Sequence, residues 1–593
     1  MKPVAWHWSS LLLLNLWILA RCAIAAPVEH PSQPVPAPLS DLFGLNAIGF
    51  FHYRNAPDAA AMAQKKMDVF KQTGATWDRF DFWWGEMEPK KGEWKWDKAD
   101  WLIDFYMRNH VNMLPILSYS ASWMKQSPHT PEDYADFADY VARVVARYKD
   151  RVHYWEVWNE PNIPTFWKPK PDPVAYTELL KAAYNAAHKA DPDCVIVGAA
   201  ANETDINWLL DIAKNGGMKY MDAISIHPYS MADGPEEMDL SRQLQNVKTF
   251  LRSQGRPDLP IWITEMGWTS TINDQAAMDK AARYMVQSYV IAAAEGVQHL
   301  FWFNLQDWTE NGKLEGWGLT SPELQPKTAL RVYRNLVDSL KGARFSGYLP
   351  IQSGEGYVFS DLVIAWAHRH RTAILPLGAF VLIRAYSPSA VEQDKDNGLL
   401  SWEKKPTFTL AETPFGIDGV SHDLLAKVML QRPSPETNEL IINPAFEELD
   451  KNGNPYAWHK GVFYGGADKG KFGVETNVNK EHSLSLSQTS EAMWESFPVP
   501  AMPGEKYTLT AQIKTNTATG DNGVQILFLA GSGWGWRGGP TTATVTGTTD
   551  WQTVKVTGTV PDDADVVRVN LVSKNNSGTV LFRAIHLTRE EAK

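Results

Sequence analysis

The chain of 593 residues contains only two cysteines, Cys22 and Cys194. Cys22 falls in an apolar N-terminal segment with the features of a cleaved leader, so a mature chain keeps Cys194 alone. We therefore expect no intrachain disulfide, and stability must come from burial of apolar side chains. A composition of 44% hydrophobic residues supplies enough apolar surface for one large core and at least one smaller one.

The sequence also lacks a surplus of positive charge, with 57 Lys and Arg against 68 Asp and Glu. A net charge of -11 disfavours non-specific attraction to nucleic acid or anionic lipid, so a neutral partner fits better. The HExxH motif, paired CxxC motifs and phosphate-binding loops are missing too. We expect no metal ion and no other cofactor.

Long hydrophobic runs are limited to the N-terminus, where Lys2 precedes "LLLLNLWILA" (11–20). The run is short for a membrane span, and small residues around Ala25 resemble a cleavage site. We interpret 1–25 as a signal peptide and expect a secreted protein, extracellular or periplasmic. An uncleaved anchor is the alternative, whereas Arg21 argues against a lipoprotein signal at Cys22.

A proline-rich stretch, 26–40, predicts an extended linker before the first globular domain. From residue 41 to residue 340, short apolar runs alternate with helical patterns such as 131–150 and 274–296. Eight strand–helix units in about 300 residues are typical of a (β/α)8 TIM barrel, an α/β fold. The predicted strands are 44–51, 75–84, 111–120, 152–159, 194–200, 221–229, 260–265 and 298–304.

A glutamate stands at the end of two of these predicted strands. "HYWEVWNEPN" (153–162) places Glu160 after strand four, and "IWITEMGW" places Glu265 after strand seven. In a TIM barrel these strand ends meet at the mouth, where catalytic residues lie. A carboxylate pair suits cleavage of a glycosidic bond, because one group protonates the leaving oxygen while the other meets the positive charge at the anomeric carbon.

The two glutamate motifs, "WNEP" and "ITEMGW", resemble those of glycoside hydrolase clan A, whose members are retaining enzymes on TIM barrels. "DRFDFWWGEMEPKKGEW", "WEVWNEPN" and "DAISIHPYS" are most similar to family 39, with family 5 as the alternative. The resemblance covers roughly residues 42 to 340. It implies a β-glycoside hydrolase that acts by double displacement on a polysaccharide or oligosaccharide.

The resemblance also implies roles for individual residues. Glu160 corresponds to the acid/base and Glu265 to the nucleophile, with carboxyl groups about 5 to 5.5 Å apart. The predicted substrate-binding and supporting residues are Arg79, Asn159, His227, Tyr229, Trp268 and Trp302. Asn159 would contact the sugar 2-hydroxyl, Arg79 and Tyr229 would hold the nucleophile, and Trp302 would form a platform under the sugar.

Each of these assignments has a structural alternative. Either glutamate could cap the following helix, Arg79 could pair at the surface, and His227 could be a core histidine. Alternation along "FWFN" decides which way Trp302 faces, and Trp268 could simply pack. At the level of the whole chain, the alternative is a carbohydrate-binding protein on an inactive barrel. The presence of both glutamates with their supporting residues favours an enzyme. Clan members act on xylose, glucose, mannose and uronic acid units, so the motifs leave the sugar open.

Beyond the barrel, residues 341–430 predict a small accessory β-domain, 431–437 a second linker and 438–593 a β-sandwich. The last region resembles carbohydrate-binding modules of families 4 and 9. Arg583-Ala584 replaces the acidic pair usual after the final strand, which puts the structural calcium of such modules in doubt. The candidate glycan-stacking residues of this module are Trp494, Trp534 and Trp536.

Overall fold

The computed structural model describes most of the chain from residue 39 onward. The described residues are 39–47, 59–229, 234–236, 238, 240–368, 372–376, 381–385, 399–403, 407–418, 420, 422–430, 440–441, 443–447, 449, 453–455, 457–462, 470–501, 503–530, 535–562, 564 and 566–590. The predicted signal peptide and most of the first linker lie outside them.

Eight parallel strands form a closed barrel in sequence order, and the first strand pairs with the eighth. This confirms the predicted (β/α)8 fold. The strands are β1 (Phe43–Asn46), β2 (Trp77–Trp83), β3 (Asn112–Ser118), β4 (Tyr154–Val157), β5 (Val195–Asn202), β6 (Ala223–His227), β7 (Ile261–Met266) and β8 (His299–Phe303).

Helices cover the outside of the barrel, and their sequences explain where they begin. At the start of α4, Thr130 and Asp133 form a reciprocal capping box and Pro131 occupies the first turn. The helices are α1 (Ala59–Thr73), α2 (Trp84–Met87), α3 (Asp97–Asn109), α4 (Pro131–Tyr148), α5 (Pro173–Ala190), α6 (Ile206–Lys214), α7 (Leu240–Ser253), α8 (Gln275–Ala294) and α9 (Thr328–Leu340), with 3₁₀ turns at Leu39–Asp41 and Gly217–Lys219.

Side-chain alternation along the strands separates the barrel interior from the shell beneath the helices. On β2, Trp77 enters the interior, whereas Phe80 and Phe82 pack in the outer shell. At Gly44 an added Cβ would lie 2.5 Å from the Phe301 ring, so only glycine fits beside that ring. The interior apolar layer consists of Trp77, Leu114, Val197, Ala223, Trp262 and Phe301.

Two residues closer to the mouth, the same faces of the strands carry polar side chains. These residues are Asn46, Arg79, Glu156, Ser225 and Thr264, all buried. Because side chains repeat with a period of two along a strand, the apolar layer and this polar layer are consecutive levels of one interior. The barrel thus closes its base with rings and aliphatic groups and presents hydrogen-bonding groups toward its mouth.

A buried ion pair holds the loops that follow β7 and β8. Lys327 donates to the Asp307 carboxylate at 2.8 Å and to the carbonyl oxygens of Ser270 at 2.5 Å and Gly316 at 3.2 Å. Within this segment a short hairpin forms from β9 (Trp308–Glu310) and β10 (Lys313–Glu315). Burial lowers the pKa of Lys327 and raises that of Asp307, while their mutual hydrogen bond opposes both shifts.

An antiparallel region follows the barrel and packs against it. Its strands form a six-stranded sheet in the order β11-β12-β13-β18-β15-β16 and a separate β14-β17 pair. Tyr348, Tyr357 and Trp366 belong to the same buried cluster as the barrel shell. The elements are β11 (Phe345–Tyr348), β12 (Gly354–Phe359), β13 (Leu362–Ala367), β14 (Ala373–Pro376), β15 (Val381–Ala385), β16 (Leu399–Glu403), β17 (Thr407–Leu410), β18 (Phe415–Asp418) and α10 (His422–Leu425).

The C-terminal region is antiparallel and encloses a core of its own. Its central strand, β27, pairs with four other strands along its 24 residues. Leu529 and Val566 extend the barrel's buried cluster into this region. The strands are β19 (Trp458–Val462), β20 (Lys471–Thr476), β21 (His482–Ser496), β22 (Val499–Pro500), β23 (Lys506–Ala518), β24 (Asp521–Ala530), β25 (Gly535–Trp536), β26 (Gly547–Thr559) and β27 (Val566–Arg589).

Among the described residues, every helix is too short or too polar to cross a lipid bilayer.

Replacing Lys327 with methionine is expected to lower the free energy of unfolding by about 3–5 kcal/mol, because it leaves the Asp307 carboxylate buried without a counter-charge. Denaturant unfolding followed by tryptophan fluorescence measures the loss. The double substitution Lys327→Met with Asp307→Leu should cost less than Lys327→Met alone, since it removes both charges.

The matched control is Lys313→Met, which removes the exposed partner of Glu315 on the adjacent hairpin. This substitution should lower the free energy of unfolding by at most about 1 kcal/mol. Equal destabilisation by the two single lysine substitutions would contradict the role assigned to the buried pair.

Candidate active site

Arg79 lies at the centre of the polar layer, and its guanidinium forms hydrogen bonds to residues from three other strands and one loop. Its Nε donates to Glu156 at 2.5 Å and its Nη1 to Glu265 at 2.6 Å. Further hydrogen bonds reach the side-chain oxygens of Asn46 at 3.2 Å and Asn159 at 2.9 Å. The surface pairing considered for Arg79 is excluded, because this side chain is buried and its charge is balanced by two carboxylates.

Glu156, inside β4, is the buried counter-charge that orders this layer. One carboxylate oxygen accepts from Arg79, and the other accepts from the hydroxyls of Ser225 and Thr264, each at 2.8 Å. The sequence interpretation overlooked Glu156, although a carboxylate within the apolar run "YWEVW" is itself a signal, because a buried charge requires partners.

Glu160 reaches the mouth because the chain after β4 leaves the extended conformation. Trp158 has φ 68° and Glu160 has φ 44°, both in the left-handed region that side chains disfavour. A hydrogen bond of 2.9 Å from the Glu160 amide to the carbonyl of Ala200 holds this conformation. Neither Glu160 nor Glu265 caps a helix; both carboxylates belong to the polar cluster.

His227, at the end of β6, links the two halves of the cluster. Its Nδ1 lies 2.9 Å from Glu160 Oε1 and its Nε2 lies 2.9 Å from Thr264 Oγ1. The single hydroxyl proton of Thr264 is directed at Glu156, which assigns the Nε2 proton to His227. His227 Nδ1 and Glu160 therefore share one further proton between them.

The two catalytic candidates have different electrostatic environments. Burial alone would raise the pKa of Glu160, but the hydrogen bond and charge of His227, the Asn202 amide at 2.9 Å and the charge of Arg79 lower it overall. Glu265 is held by Arg79 on one oxygen and by the Tyr229 hydroxyl at 3.1 Å on the other. Burial raises the pKa of Tyr229 well above its usual range, so this hydroxyl keeps its proton and donates.

The spacing of the carboxylates fits direct nucleophilic attack. One oxygen of Glu160, one of Glu265 and a ring nitrogen of His227 all lie within 4.8 Å of one another. A retaining mechanism requires carboxyl groups only about 5 to 5.5 Å apart, whereas an inverting mechanism needs about 6.5–9.5 Å to admit a water. The cluster has the closer spacing.

Trp302 does not form the sugar platform that the sequence interpretation assigned to it. It is 1% exposed and packs in the outer shell against Trp268, with ring centroids 5.9 Å apart. Phe303, the next residue, turns toward the mouth and meets Tyr229 edge-on at 6.4 Å. The reason is strand alternation: Phe301 and Phe303 share the interior face of β8, and Trp302 must take the opposite face.

Trp268 is half-buried behind the mouth, between Trp302 and Tyr284. The other predicted supporting residues, Arg79, Asn159, His227 and Tyr229, converge on the glutamate pair. Residues that the sequence interpretation missed are Asn46, Glu156, Asn202, Thr264 and Phe303. Several of them end strands, which is where a polar residue signals a mouth position.

Beside the accessory sheet lies another group of acidic and histidine side chains, whose spacing could suit a metal ion. It contains Glu236, Glu355 and His368, with one ligand atom from each within 4.8 Å of the others. The two ring nitrogens of His368 face different carboxylates, at 3.3 Å from Glu236 and 3.7 Å from Glu355. This arrangement matches an imidazole between two acceptors rather than a shared coordination centre.

In the C-terminal region, the three predicted glycan-stacking tryptophans have different outcomes. Trp494 is 1% exposed, lies edge-on to Phe472 and donates its Nε1 proton to the carbonyl of Ser485 at 3.3 Å, so the assignment of a free ring face to Trp494 is wrong. Its position on β21 faces the core. Trp536 is 69% exposed on β25. Trp534 lies outside the described residues.

Residues 56–332 match the model of glycosyl hydrolase family 10. The match covers most of the barrel and agrees with the predicted clan, although the matching model is that of family 10 and not of family 39. A family 39 glycoside hydrolase from Bacteroides cellulosilyticus has the same fold, with a TM-score of 0.52 and 20% identity, over 65% of this chain and 81% of that one.

Sequence relatives of this chain include a beta-xylosidase from Geobacillus stearothermophilus, 25% identical over 30% of this chain and 42% of the relative. Another is endo-1,4-beta-xylanase 2 from Claviceps purpurea, 28% identical over 29% of this chain and 55% of the relative. The chain thus spans about half the length of the curated relatives it matches.

We expect His227→Ala to raise the pKa of Glu160, because it removes the hydrogen bond and charge that lower it and leaves the effect of burial. Carbon NMR of protein labelled at the glutamate carboxyl carbon measures the titration, with the resonance assigned by its loss in Glu160→Gln. His188→Ala is the control, since His188 pairs with Asp222 at the opposite end of the barrel. An unchanged or lower pKa of Glu160 would contradict the shared proton.

Proposed function

We propose that the protein is a retaining β-glycoside hydrolase that cleaves β-glycosidic bonds in a xylose-containing oligosaccharide or polysaccharide by double displacement. The carrying observation is the pair of close carboxylates with different partners. Glu265 is held beside the fixed cation of Arg79, whereas Glu160 shares a proton with His227. Two carboxylates that lie close together in different surroundings can act as one nucleophile and one acid.

In the first step, Glu265 attacks the anomeric carbon while Glu160 delivers a proton to the leaving oxygen. The bond from the anomeric carbon to that oxygen breaks as the bond to the Glu265 carboxylate forms. Arg79 and Tyr229 orient the nucleophile through its two oxygens. Asn159 has its carbonyl oxygen committed to Arg79, so its amide protons are available to the sugar 2-hydroxyl.

In the second step, Glu160 acts as a base and takes a proton from water as that water attacks the anomeric carbon. The glycosyl–Glu265 bond breaks, and the product leaves with its original configuration. His227 suits both steps, because its Nδ1 can share a proton with Glu160 as that carboxylate changes protonation state. Phe303, beside Tyr229 at the mouth, supplies an aromatic ring for the sugar in place of Trp302.

Support for a xylose-containing substrate comes from the relatives, which are a beta-xylosidase and an endo-1,4-beta-xylanase. The finer family assignment that we propose is family 39, from the motifs around Arg79 and Glu160. The inactive-barrel alternative is disfavoured, because Glu160, Glu265 and Arg79 form a complete hydrogen-bonded set. Export through the N-terminal segment 1–25 is part of the proposal and rests on the sequence alone.

Azide can distinguish the roles of the two glutamates. Glu160→Ala should lower turnover by about 10²–10⁴-fold on substrates with poor leaving groups. With a good leaving group the glycosyl-enzyme still forms, and added azide, which needs no base, should release a β-glycosyl azide. In Glu265→Ala, azide enters the vacated cavity and displaces the leaving group once, so the α-azide forms. Product anomers are determined by proton NMR.

Glu310→Ala is the matched control, because Glu310 is an exposed glutamate on the mouth hairpin. It should retain normal turnover and give no azide product. If Glu160→Ala gave the α-azide and Glu265→Ala the β-azide, the assigned roles would be reversed. Full activity in both variants would place the reaction elsewhere.

We also propose that the C-terminal region binds the glycan chain and keeps it near the barrel. Trp536 offers an exposed ring for stacking on a sugar face. Arg583, which departs from the usual acidic pair, lies over the Trp551 ring at 4.3 Å and donates to Gln512 at 2.8 Å. The guanidinium of Arg583 therefore occupies the place of the usual acidic pair, which supports glycan binding without calcium in this region.

Trp536→Ala should weaken adsorption to insoluble xylan by about three- to tenfold, because one aromatic face is removed. Turnover of a small aryl β-xyloside should not change, since that substrate cannot span both sites. Depletion assays and initial rates measure the two effects. Val478→Ala, at a side chain that is 99% exposed in the same region, is the control. Unchanged adsorption in Trp536→Ala would remove this residue from the proposed binding surface.

A further inference from the structure

A cavity of about 290 Å³ opens at the barrel mouth between the loops that follow β3 and β4. Tyr119, which directly follows β3, brings this lining near the catalytic carboxylates, since the charges of Glu265 and Glu160 act on its hydroxyl. None of the roles described above uses this cavity. Its lining residues are Tyr119, Ser120, Met124, Lys125, Gln126, Ser127, Trp158, Thr165, Phe166 and Lys168.

The charge of this cavity has one sign. Lys125 and Lys168 line it, and the lining contains no acidic side chain, although the whole chain carries a net charge of -11. The ammonium group of Lys168 donates to the carbonyl oxygen of Pro164 at 2.6 Å, a neutral acceptor. In the part of the chain that the structure describes, Lys125 forms no ion pair or hydrogen bond. A concave surface with unneutralised charges of one sign attracts a ligand of the opposite sign.

The cavity lining is also aromatic and carries a hydroxyl. Tyr119 stacks on Phe166 with ring centroids 5.8 Å apart and meets Trp158 edge-on at 5.5 Å. These contacts fix the ring, while its hydroxyl has no hydrogen-bond partner among the described residues. Burial, followed by the charge of Asp81, raises the pKa of Tyr119 well above its usual range, so the hydroxyl remains a donor.

We propose that this cavity is a subsite for a sugar residue that carries a negative charge, either a uronate carboxylate or a sulfate ester, next to the bond that is cleaved. The proposal rests on the glycoside hydrolase function above and narrows its substrate class. The fixed rings suit a pyranose face, the Tyr119 hydroxyl suits a sugar oxygen, and the two ammonium groups suit the anion. Both lysines are exposed, so a bound anion adds charge pairs that a neutral chain cannot form.

Binding to a catalytically disabled protein tests the subsite without reliance on turnover. In the Glu265→Ala background, isothermal titration calorimetry compares three probes: xylotetraose, glucuronate-substituted xylotetraose and sulfated xylotetraose. At least one anionic probe should bind about three- to tenfold more tightly than xylotetraose, an advantage expected of two solvent-accessible charge pairs. The preferred probe identifies carboxylate or sulfate as the source of the charge.

Adding Lys125→Gln and Lys168→Gln should reduce the ratio of anionic to neutral affinity to about one. High salt should reduce the same ratio in the protein that retains both lysines. Lys149→Gln is the control, because Lys149 follows α4 at the end of the barrel opposite the mouth, and it should leave the ratio unchanged.

Equal affinity for all three probes, or no binding of any, would overturn the subsite, as would an anionic preference that survives loss of both lysines. Turnover of unsubstituted xylotetraose by the intact enzyme is measured separately and tests the proposed function. If turnover failed while lysine-dependent binding persisted, the subsite would stand and the hydrolase proposal would not.

Discussion

The buried guanidinium of Arg79 is the interaction on which the mouth of the barrel depends. It replaces the water lost on burial with acceptors from Glu156, Glu265, Asn159 and Asn46. Because the donors of a guanidinium lie in a rigid plane, each acceptor is fixed relative to the others. The same group therefore balances the charge of two carboxylates and sets the direction of Glu265, the proposed nucleophile, and of the Asn159 amide.

The barrel stabilises this buried polar cluster by placing it directly on an apolar layer. Trp77 lies below Arg79 on β2, and Trp262 lies below Thr264 on β7. Water is excluded from beneath, so the hydrogen bonds among Glu156, His227 and Thr264 act in a medium of low polarity, where they are stronger than in water. The left-handed conformation at Glu160, held by the hydrogen bond from its amide to Ala200, brings its carboxylate to His227 in this network.

Charge is distributed unevenly over the mouth. The cationic side chains along the cavity between the third and fourth loops contrast with the net negative charge of the chain. Because these cationic groups lie on one concave surface, they attract an anionic part of a substrate to that surface and not to the protein as a whole. The accessory and C-terminal sheets share buried apolar contacts with the barrel.

Sequence by itself determined the eight strands, the capped helix at Thr130 and the paired motifs of Glu160 and Glu265, because alternation, helical periodicity and capping are local patterns. Only the tertiary structure decided which neighbour in "FWFN" faces the mouth, that Trp494 belongs to the core, and that Glu156 completes the network. These outcomes depend on strand register and on partners distant in the chain, such as Arg79 and Glu265, which are 186 positions apart. A local pattern decides whether a segment forms a strand or a helix, whereas its burial and its hydrogen-bond partners are decided only when the segments pack.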